Sequence, residues 1–166
     1  MSVIDSVYRY EDQLASNWDL QIDSPEGAVL SKIKYKVIST SIPFQKFQVE
    51  RKKSGETIFK GVEEADTFTI TLRESPDFTS FLFFQTWMDL FYDRIKRVFR
   101  VFPSEALYWL SLYNVQITFY RDNFIPSGVC LATFCKPVGI ETLSLDYSGN
   151  PLVFTVTLQP ERIVLL

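Results

Sequence analysis

The chain has 166 residues, of which 46% are hydrophobic, 16% aromatic and 22% charged. This composition excludes a disordered chain and provides enough apolar surface for one domain with its own core. The formal net charge is -3, and the sequence contains no His. The charge disfavours a nucleic-acid-binding protein with a basic surface. The lack of His removes the commonest general base and a common metal ligand.

The start of the chain does not resemble a targeting signal. The first residues, Met1–Asp5, become acidic before any apolar run develops, so we expect no secretory signal. No apolar run approaches the ~20 residues that a membrane-spanning helix needs. The sequence therefore predicts a soluble product made in a cytoplasm, with no membrane insertion and a single domain over residues 1–166.

The N-terminal third predicts an arm followed by two strands. Residues 1–15 have no clear period and are interpreted as an N-terminal arm or a short helix. Alternating apolar residues predict a strand near Asn17–Ile22, with a turn at 23–27. A second strand is predicted over Val29–Thr40. Its apolar face would carry Ile33, Tyr35 and Val37, and its other face a stripe of Lys32, Lys34 and Lys36.

A charged segment then separates two further predicted strands. The first strand runs through Phe47–Glu50, and the second alternates Phe68, Ile70 and Leu72 with polar residues. The segment between them, Arg51–Ala65, reads RKKSGETIFKGVEEA, and we interpret it as a long, protruding hairpin arm. Its basic run, Arg51–Lys53, is expected to face Glu63 and Glu64 across this arm.

Two interpretations of the arm's charges stand side by side. The charges either solvate the hairpin, with cross-strand pairs worth less than ~1 kcal/mol each, or form a surface that docks on an identical neighbour. The candidate interface residues of the arm are Arg51, Lys52, Lys53, Glu56, Ile58, Phe59, Glu63, Glu64 and Asp66.

One amphipathic helix is predicted at about residues 76–100. Ser75 would be its N-cap and Pro76 its first helical residue. Phe81, Phe84, Met88, Phe91, Ile95 and Phe99 recur at helical spacing. Arg94, Lys96, Arg97 and Arg100 would form its last turn, where they either complement the helix dipole or bind phosphate.

The C-terminal half predicts strands near Tyr113–Tyr120 and Val129–Phe134. The turn formers at 148–151 then predict a β-hairpin over residues 143–158. The fold class is therefore α+β and mainly β. We expect a small antiparallel β-barrel or sandwich flanked by one amphipathic helix, from which the charged arm extends.

The sequence contains no recognisable catalytic motif. There is no nucleophile elbow, phosphate-binding glycine loop or dinucleotide fingerprint, and neither Cys has a His partner. Cys130 and Cys135 lie five residues apart on a predicted strand, so we expect them to point to opposite faces. They are interpreted as small buried apolar residues, with a disulfide between subunits as the alternative. We predict no enzyme, no cofactor and no metal.

An ordered set of features resembles the tail tube proteins of contractile-tailed bacteriophages and related injection machines. The set comprises Thr40–Pro43 at a strand end, the arm Arg51–Ala65, the strand Asp66–Leu72, a helix with Trp87, Pro137-Val138 and the hairpin Leu143–Leu158. The similarity extends from about Trp18 to Leu158.

This resemblance implies a structural subunit of a tail tube in a virion assembled in the host cytoplasm. Subunits of this kind form stacked hexameric rings, with the arm and both chain termini at the contacts. The implied partners are the chain itself and the tail sheath, baseplate and tail terminator proteins, and genomic DNA passes through the lumen without specific binding. Alternative roles within the family are a baseplate tube initiator and the inner tube of an injection system.

Uncharged polar strand faces suit such a lumen, because basic residues would hold phosphates through counterion release. The candidate lumen-facing residues are Thr67, Thr69, Thr71, Asn114, Gln116 and Thr118. The lysine stripe is expected to face outward or to meet an acidic neighbour. A competing class is a monomeric β-barrel whose aromatic residues line a pocket for a small apolar ligand. A packed interior with a protruding arm would favour assembly, and an open aromatic cavity would favour ligand binding.

Overall fold

A computed structural model describes residues 17–43, 46–63, 67–121, 124–141 and 149–166. The strands are β1 Trp18–Asp23, β2 Val37–Ser41, β3 Lys46–Arg51, β4 Thr57–Glu63, β5 Phe68–Arg73, β6 Tyr92–Asp93, β7 Val98–Phe99, β8 Tyr113–Tyr120, β9 Pro126–Ile140, β10 Val153–Gln159 and β11 Arg162–Leu165. The helices are α1 Gly27–Lys34, α2 Thr79–Asp89 and α3 Glu105–Leu110. The predicted class, α+β and mainly β, is confirmed, although the described residues form three helices where one was predicted.

Most strands belong to one antiparallel sheet that folds over into a sandwich. The order is β1-β8-β9-β10-β5-β2, with β11 also paired to β9. The first half of β9 pairs with β8 and β11, and its second half pairs with β10. We call the layer β1-β8-β9-β11 the first layer and β9-β10-β5-β2 the second layer. Among the described residues the sheet does not close into a barrel, so the sandwich alternative of the prediction holds.

A β-bulge marks the corner where β9 leaves the first layer. Tyr113 pairs with Cys135 and Val115 with Ala132, so β9 carries one extra residue there. The backbone of Phe134 is left-handed at this point, with φ 50°. The strands that pair with β9 on its other side also break at this level, between β10 and β11. There the Glu161 N–H donates to the Thr133 carbonyl at 3.0 Å. Bulges bend strands, which explains how β9 serves both layers.

The core lies between the two layers and follows strict alternation along each strand. In β5, residues 68, 70 and 72 are buried, and the residues between them point outward. The first layer contributes Leu20, Ile22, Val115, Ile117, Cys130 and Ala132, and the second contributes Phe68, Ile70, Leu72, Phe154, Val156 and Leu158. These side chains fill the interior of the sandwich, as the assembly interpretation expected.

The predicted helix over 76–100 is wrong at both ends. Helix α2 begins at Thr79, after Phe78 with φ 53°. The buried carboxylate of Glu74, and not Ser75, accepts the Phe81 N–H at 2.7 Å and so satisfies a donor of the first turn. Lys36 lies 3.4 Å from the same carboxylate and balances its charge.

Beyond Asp89 the chain forms a short β-hairpin, β6–β7, although its apolar residues recur at helical spacing in the sequence. The Asp93 carboxylate accepts the N–H groups of Ile95 and Lys96, both at 3.0 Å, and this local turn competes with helix continuation. Arg97 has φ 56° in the same turn. The basic residues therefore lie on a hairpin and not in a last helical turn.

The predicted strand over Val29–Thr40 is also wrong in its first half. Residues 27–34 form α1, with Leu30 and Ile33 buried against the core and Tyr35 85% exposed. The apolar residues at 29, 30 and 33 are spaced as on one face of a helix, and those at 33, 35 and 37 are spaced as on one face of a strand. The local pattern was therefore compatible with either structure. Only the second half forms a strand, β2.

Cys130 and Cys135 do not point to opposite faces, because the bulge adds one residue between them. Both are buried in the same core, and both thiols are free. Burial raises the pKa of the Cys135 thiol to about 12. The interpretation as small buried apolar residues therefore describes both positions.

Some predictions lie at the limits of the described residues. The predicted N-terminal arm, residues 1–15, and the first strand of the predicted C-terminal hairpin, residues 143–147, lie outside the described residues. The second strand of that hairpin lies within β10, which pairs with β5 and β9. None of the helices within the described ranges has the length and apolarity needed to cross a bilayer.

Candidate assembly surfaces

The predicted arm is present as a hairpin of its own. Strands β3 and β4 pair with each other in a separate two-stranded sheet, outside the sandwich layers. The hairpin is longer than predicted, because its first strand begins at Lys46. The turn at its tip contains Gly55, whose φ of 86° is readily adopted by glycine.

The register corrects the expected charge pairing along the arm. Lys46 is opposite Glu63, and Arg51 is opposite Thr57, so Arg51–Lys53 do not face Glu63. Glu64 and Asp66 lie outside the described residues. The pairs that do form are Lys52–Glu56 at 3.4 Å and Lys60–Glu50 at 3.1 Å. Both are exposed pairs, and such pairs add little to stability.

The two faces of the arm differ in chemistry. Val49 is directly opposite Phe59, so these side chains share one face, and Arg51 follows two residues along the same face. Val49 is 59% exposed and Phe59 is 75% exposed. The other face carries the Lys60–Glu50 pair and Ile58. We call Val49, Phe59 and Arg51 the arm face.

The predicted lumen residues of β5 lie on an outer face rich in hydroxyl groups. Thr69 and Thr71 point away from the core, and Thr67 immediately precedes the strand. The register aligns Ser41, Thr69 and Thr157 in one row and Ser39, Thr71 and Thr155 in the next. The Thr71 and Thr155 hydroxyl oxygens are 3.1 Å apart, as are those of Ser41 and Thr69. We call these six residues the hydroxyl face.

The predicted lumen residues of β8 lie on the other layer. Asn114, Gln116 and Thr118 alternate with the buried residues of β8 and so point outward from the first layer. The Asn114 side-chain oxygen accepts the Phe134 N–H at 3.0 Å, which gives Asn114 a role in holding the bulge. Because both layers face one core, their outer faces diverge, and the structure does not bring the two sets of candidates together.

The predicted lysine stripe does not exist as one surface. Lys34 at the end of α1 pairs with Asp19 of β1, and Lys36 pairs with Glu74. The Asp19 carboxylate raises the pKa of Lys34 through a hydrogen bond. Lys32 is exposed on α1. Two of the three lysines therefore meet acidic neighbours in this same chain, in agreement with one of the two expectations.

A second exposed apolar surface, missed by the sequence reasoning, lies on the β6–β7 hairpin and beside it. Ile95, Phe99 and Val101 are 95%, 79% and 92% exposed. The helical spacing places Ile95 and Phe99 on the apolar stripe of a longer helix, and that prediction is wrong. Asp93 followed by a basic run was the available signal for a turn at this point.

A cavity of about 310 Å³ lies between α2, α3 and the chain before α1. Trp87 and Tyr113 stack at its floor with ring centroids 4.5 Å apart, and the Trp87 indole donates to the Ser111 carbonyl at 2.9 Å. The pKa of Tyr113 is raised by burial and by the nearby Glu26 carboxylate. The lining residues are Pro25, Glu26, Phe83, Thr86, Trp87, Leu90, Leu110 and Tyr113.

Comparisons with known proteins show structural likeness without sequence likeness. No protein-family model matches the chain, and no curated protein is similar to it in sequence. A chain of the cryo-EM structure of the PVC sheath/tube terminator, from an extracellular contractile injection system, superimposes with a TM-score of 0.65 at 13% identity. The superposition covers 95% of this chain and 99% of that chain.

Two further solved structures agree. A chain of the PVC sheath-tube complex has a TM-score of 0.60 at 14% identity, with 100% of this chain and 98% of that chain covered. Hcp1 from Flavobacterium johnsoniae has a TM-score of 0.53 at 16% identity, with 89% and 93% covered. At such identities the likeness concerns the fold, and it confirms the resemblance found in the sequence: this chain has the fold of the tail tube proteins.

Proposed function

We propose that this chain is a non-enzymatic structural subunit of the inner tube of a contractile tail or injection apparatus. The observation that carries the proposal is the likeness to chains of sheath-tube and terminator assemblies, which extends over 95% and 100% of this chain. We also propose that the subunits form hexameric rings that stack into a tube, and that the partners of this tube are sheath, baseplate and terminator proteins.

The shape of the subunit suits assembly. β1 and β2 end the strand order of the described sheet, and unpaired edges of this kind are sites where a neighbour can extend a sheet. The arm carries exposed apolar side chains away from the core. Core side chains fill the space between the described layers, which disfavours the monomeric ligand-binding barrel.

We further propose that the hydroxyl face lines the lumen. It carries six hydroxyl side chains in register and no charge within those rows. The outer face of the first layer carries Asp19 and Asp23 at β1, and that of the second layer carries Arg73 beyond the two hydroxyl rows, at the end of β5. A neutral polar wall lets DNA pass without the salt-dependent binding that cationic side chains produce. The first candidate is therefore a phage tail tube in a virion that conducts DNA during ejection.

Three related roles are the second candidates. A chain of the anti-feeding prophage tube-terminating cap superimposes with a TM-score of 0.63 at 11% identity, which favours a protein at the tube end. The anti-feeding prophage baseplate structure, with a TM-score of 0.58, favours a tube initiator in the same way. The likeness to chains of extracellular contractile injection systems supports the tube of an injection system as the third of these roles.

Electron microscopy of the purified protein tests the proposal. Negative-stain images, with size-exclusion chromatography and light scattering over a concentration series, are expected to show hollow rings or stacked tubes. Isolated rings that never stack would favour a tube-end protein. A chain that remains monomeric throughout the series, with and without a preformed tube end, would overturn the tube proposal.

A further inference from the structure

The cavity beside α2 has the chemistry of a receptor for an apolar surface that ends in a cation. Its lining is aromatic and aliphatic except for Glu26 and Thr86. Glu26 is exposed at its edge, and no described cation lies within ion-pair distance of this carboxylate. An apolar cavity with one carboxylate at its rim selects a ligand with an apolar body and a positive end.

The arm face has the complementary chemistry. Val49 and Phe59 form an exposed apolar pair, and Arg51 follows Val49 by two residues, about 7 Å along the strand. Two other cations of the arm are already engaged, Lys52 with Glu56 and Lys60 with Glu50. None of the described ion pairs contains Arg51.

We infer that the arm face of one copy docks into the cavity of a second copy, with Phe59 and Val49 against Leu90, Leu110 and Trp87, and Arg51 on Glu26. This inference rests on the proposed tube function and names the receptor of the arm. Because the arm and the cavity are different surfaces, the contact is heterologous. A head-to-tail contact of this kind generates a ring when its rotation closes.

Charge and connectivity favour a second copy as the occupant of the cavity. Strands β3 and β4 pair only with each other among the described strands, so the arm is not held in a sheet of its own domain. The cavity is close to the smallest volume usual for a small-molecule site, and it is open to the side chain of a neighbour. An apolar small molecule would leave the Glu26 carboxylate at the rim without a cation.

A charge exchange between the two surfaces tests this contact. We expect Glu26→Arg and Arg51→Glu each to raise the concentration needed for assembly at least about tenfold, because like charges would face each other. The double variant restores the pair in reverse and is expected to assemble within about threefold of the unaltered protein. In an equimolar mixture of the two single variants, opposite charges meet at every contact between unlike variants: the altered cavity receives the altered arm, and the unaltered cavity receives the unaltered arm. This mixture is expected to assemble better than either variant alone.

Lys53→Glu provides the matched control. It changes the net charge of the arm by the same amount as Arg51→Glu but lies in the tip turn, beyond the last cross-strand pair. Its expected effect on assembly is less than about threefold. Circular dichroism of each variant checks that the fold is retained.

The outcomes separate the two proposals. Assembly of the unaltered chain with no loss in the single variants, or loss without recovery in the double variant, overturns the arm–cavity contact and leaves the tube function standing. A chain that stays monomeric in every form overturns both. Saturation of the cavity by an apolar fluorescent probe, bound equally by the Glu26→Arg variant, would favour a small ligand and also overturn the contact.

Discussion

The sandwich core and the arm both consist of β-strands with apolar side chains, yet they bury these side chains differently. Ile70 and Val156 are fully buried in the core, whereas Val49 and Phe59 on the arm are 59% and 75% exposed. In β4 of the arm Ile58 and Phe59 are consecutive, so the arm has apolar side chains on both faces. The difference shows that an apolar side chain on a strand is buried only where another element of the fold packs against it.

The largest effect is expected in the core. Phe84 of α2 is fully buried between the layers, so Phe84→Ala removes a ring and leaves a cavity. We expect a loss of about 3–5 kcal/mol in the free energy of unfolding. Urea denaturation followed by tryptophan fluorescence measures it. A loss below about 1 kcal/mol would show that the helix packs loosely and would weaken the contrast with the arm.

The next effect concerns a buried ion pair, with an exposed pair of the arm as its counterpart. The Glu74 side chain is 1% exposed, pairs with Lys36 and accepts N–H groups of Ser75 and Phe81. Glu74→Gln is expected to cost about 1–3 kcal/mol, because it removes the buried carboxylate that pairs with Lys36, leaving only the more exposed Asp77 at 3.6 Å, and weakens the hydrogen bond to the Phe81 N–H of α2. Glu50→Gln on the arm is expected to cost less than about 0.5 kcal/mol. Equal losses in thermal unfolding would contradict this ranking.

A pH effect separates the core from the arm in a third way. The pKa of the Cys135 thiol is about 12 when folded, against an ordinary value of 9.0. Between pH 9 and pH 12 the thiol ionises in the unfolded chain but keeps its proton in the folded chain. The contribution of Cys135 to the free energy of unfolding is therefore full below about pH 9 and falls as the pH rises toward 12. The slope is about 1.4 kcal/mol per pH unit. Cys135→Ala should be less sensitive over this range, and identical slopes for both proteins would refute the assignment.

The smallest effect on the isolated subunit is expected on the arm. Phe59→Ser changes an exposed residue, so the free energy of unfolding of the monomer should change by less than about 0.5 kcal/mol. The same variant should lose ring or tube formation, because the proposed arm–cavity contact would bury this exposed ring in another copy. Thermal unfolding below the assembly concentration and electron microscopy above it measure the two effects. Unimpaired tubes would remove the arm face from the assembly surface.

Several features were predictable because their signals are local. Phe68, Ile70 and Leu72 alternate so regularly that the strand and its buried face followed directly. The charged, glycine-containing run after Phe47 predicted a hairpin arm, and the order of the elements predicted the tail tube fold. The pairing along the arm was not predictable, because a register depends on bulges such as the one between Gln48 and Val49.

Other features required contacts between distant parts of the chain. The helix starts at Thr79 because the Glu74 carboxylate, held by Lys36, accepts a helix N–H. The two cysteines share a face because of one extra residue in β9. The candidate lumen residues belong to two diverging faces, because the sheet folds over at the same bulge.

Alternation and composition were thus sufficient for the class of fold, the presence of the arm and the lack of a catalytic motif. These properties depend on neighbouring residues and on the total apolar content. The ends of the helix, the corner of the sheet, the cavity beside α2 and the faces available for assembly depended on the tertiary structure. They arise where segments far apart in the chain meet, and the free energy of burying or pairing them there outweighs local preference.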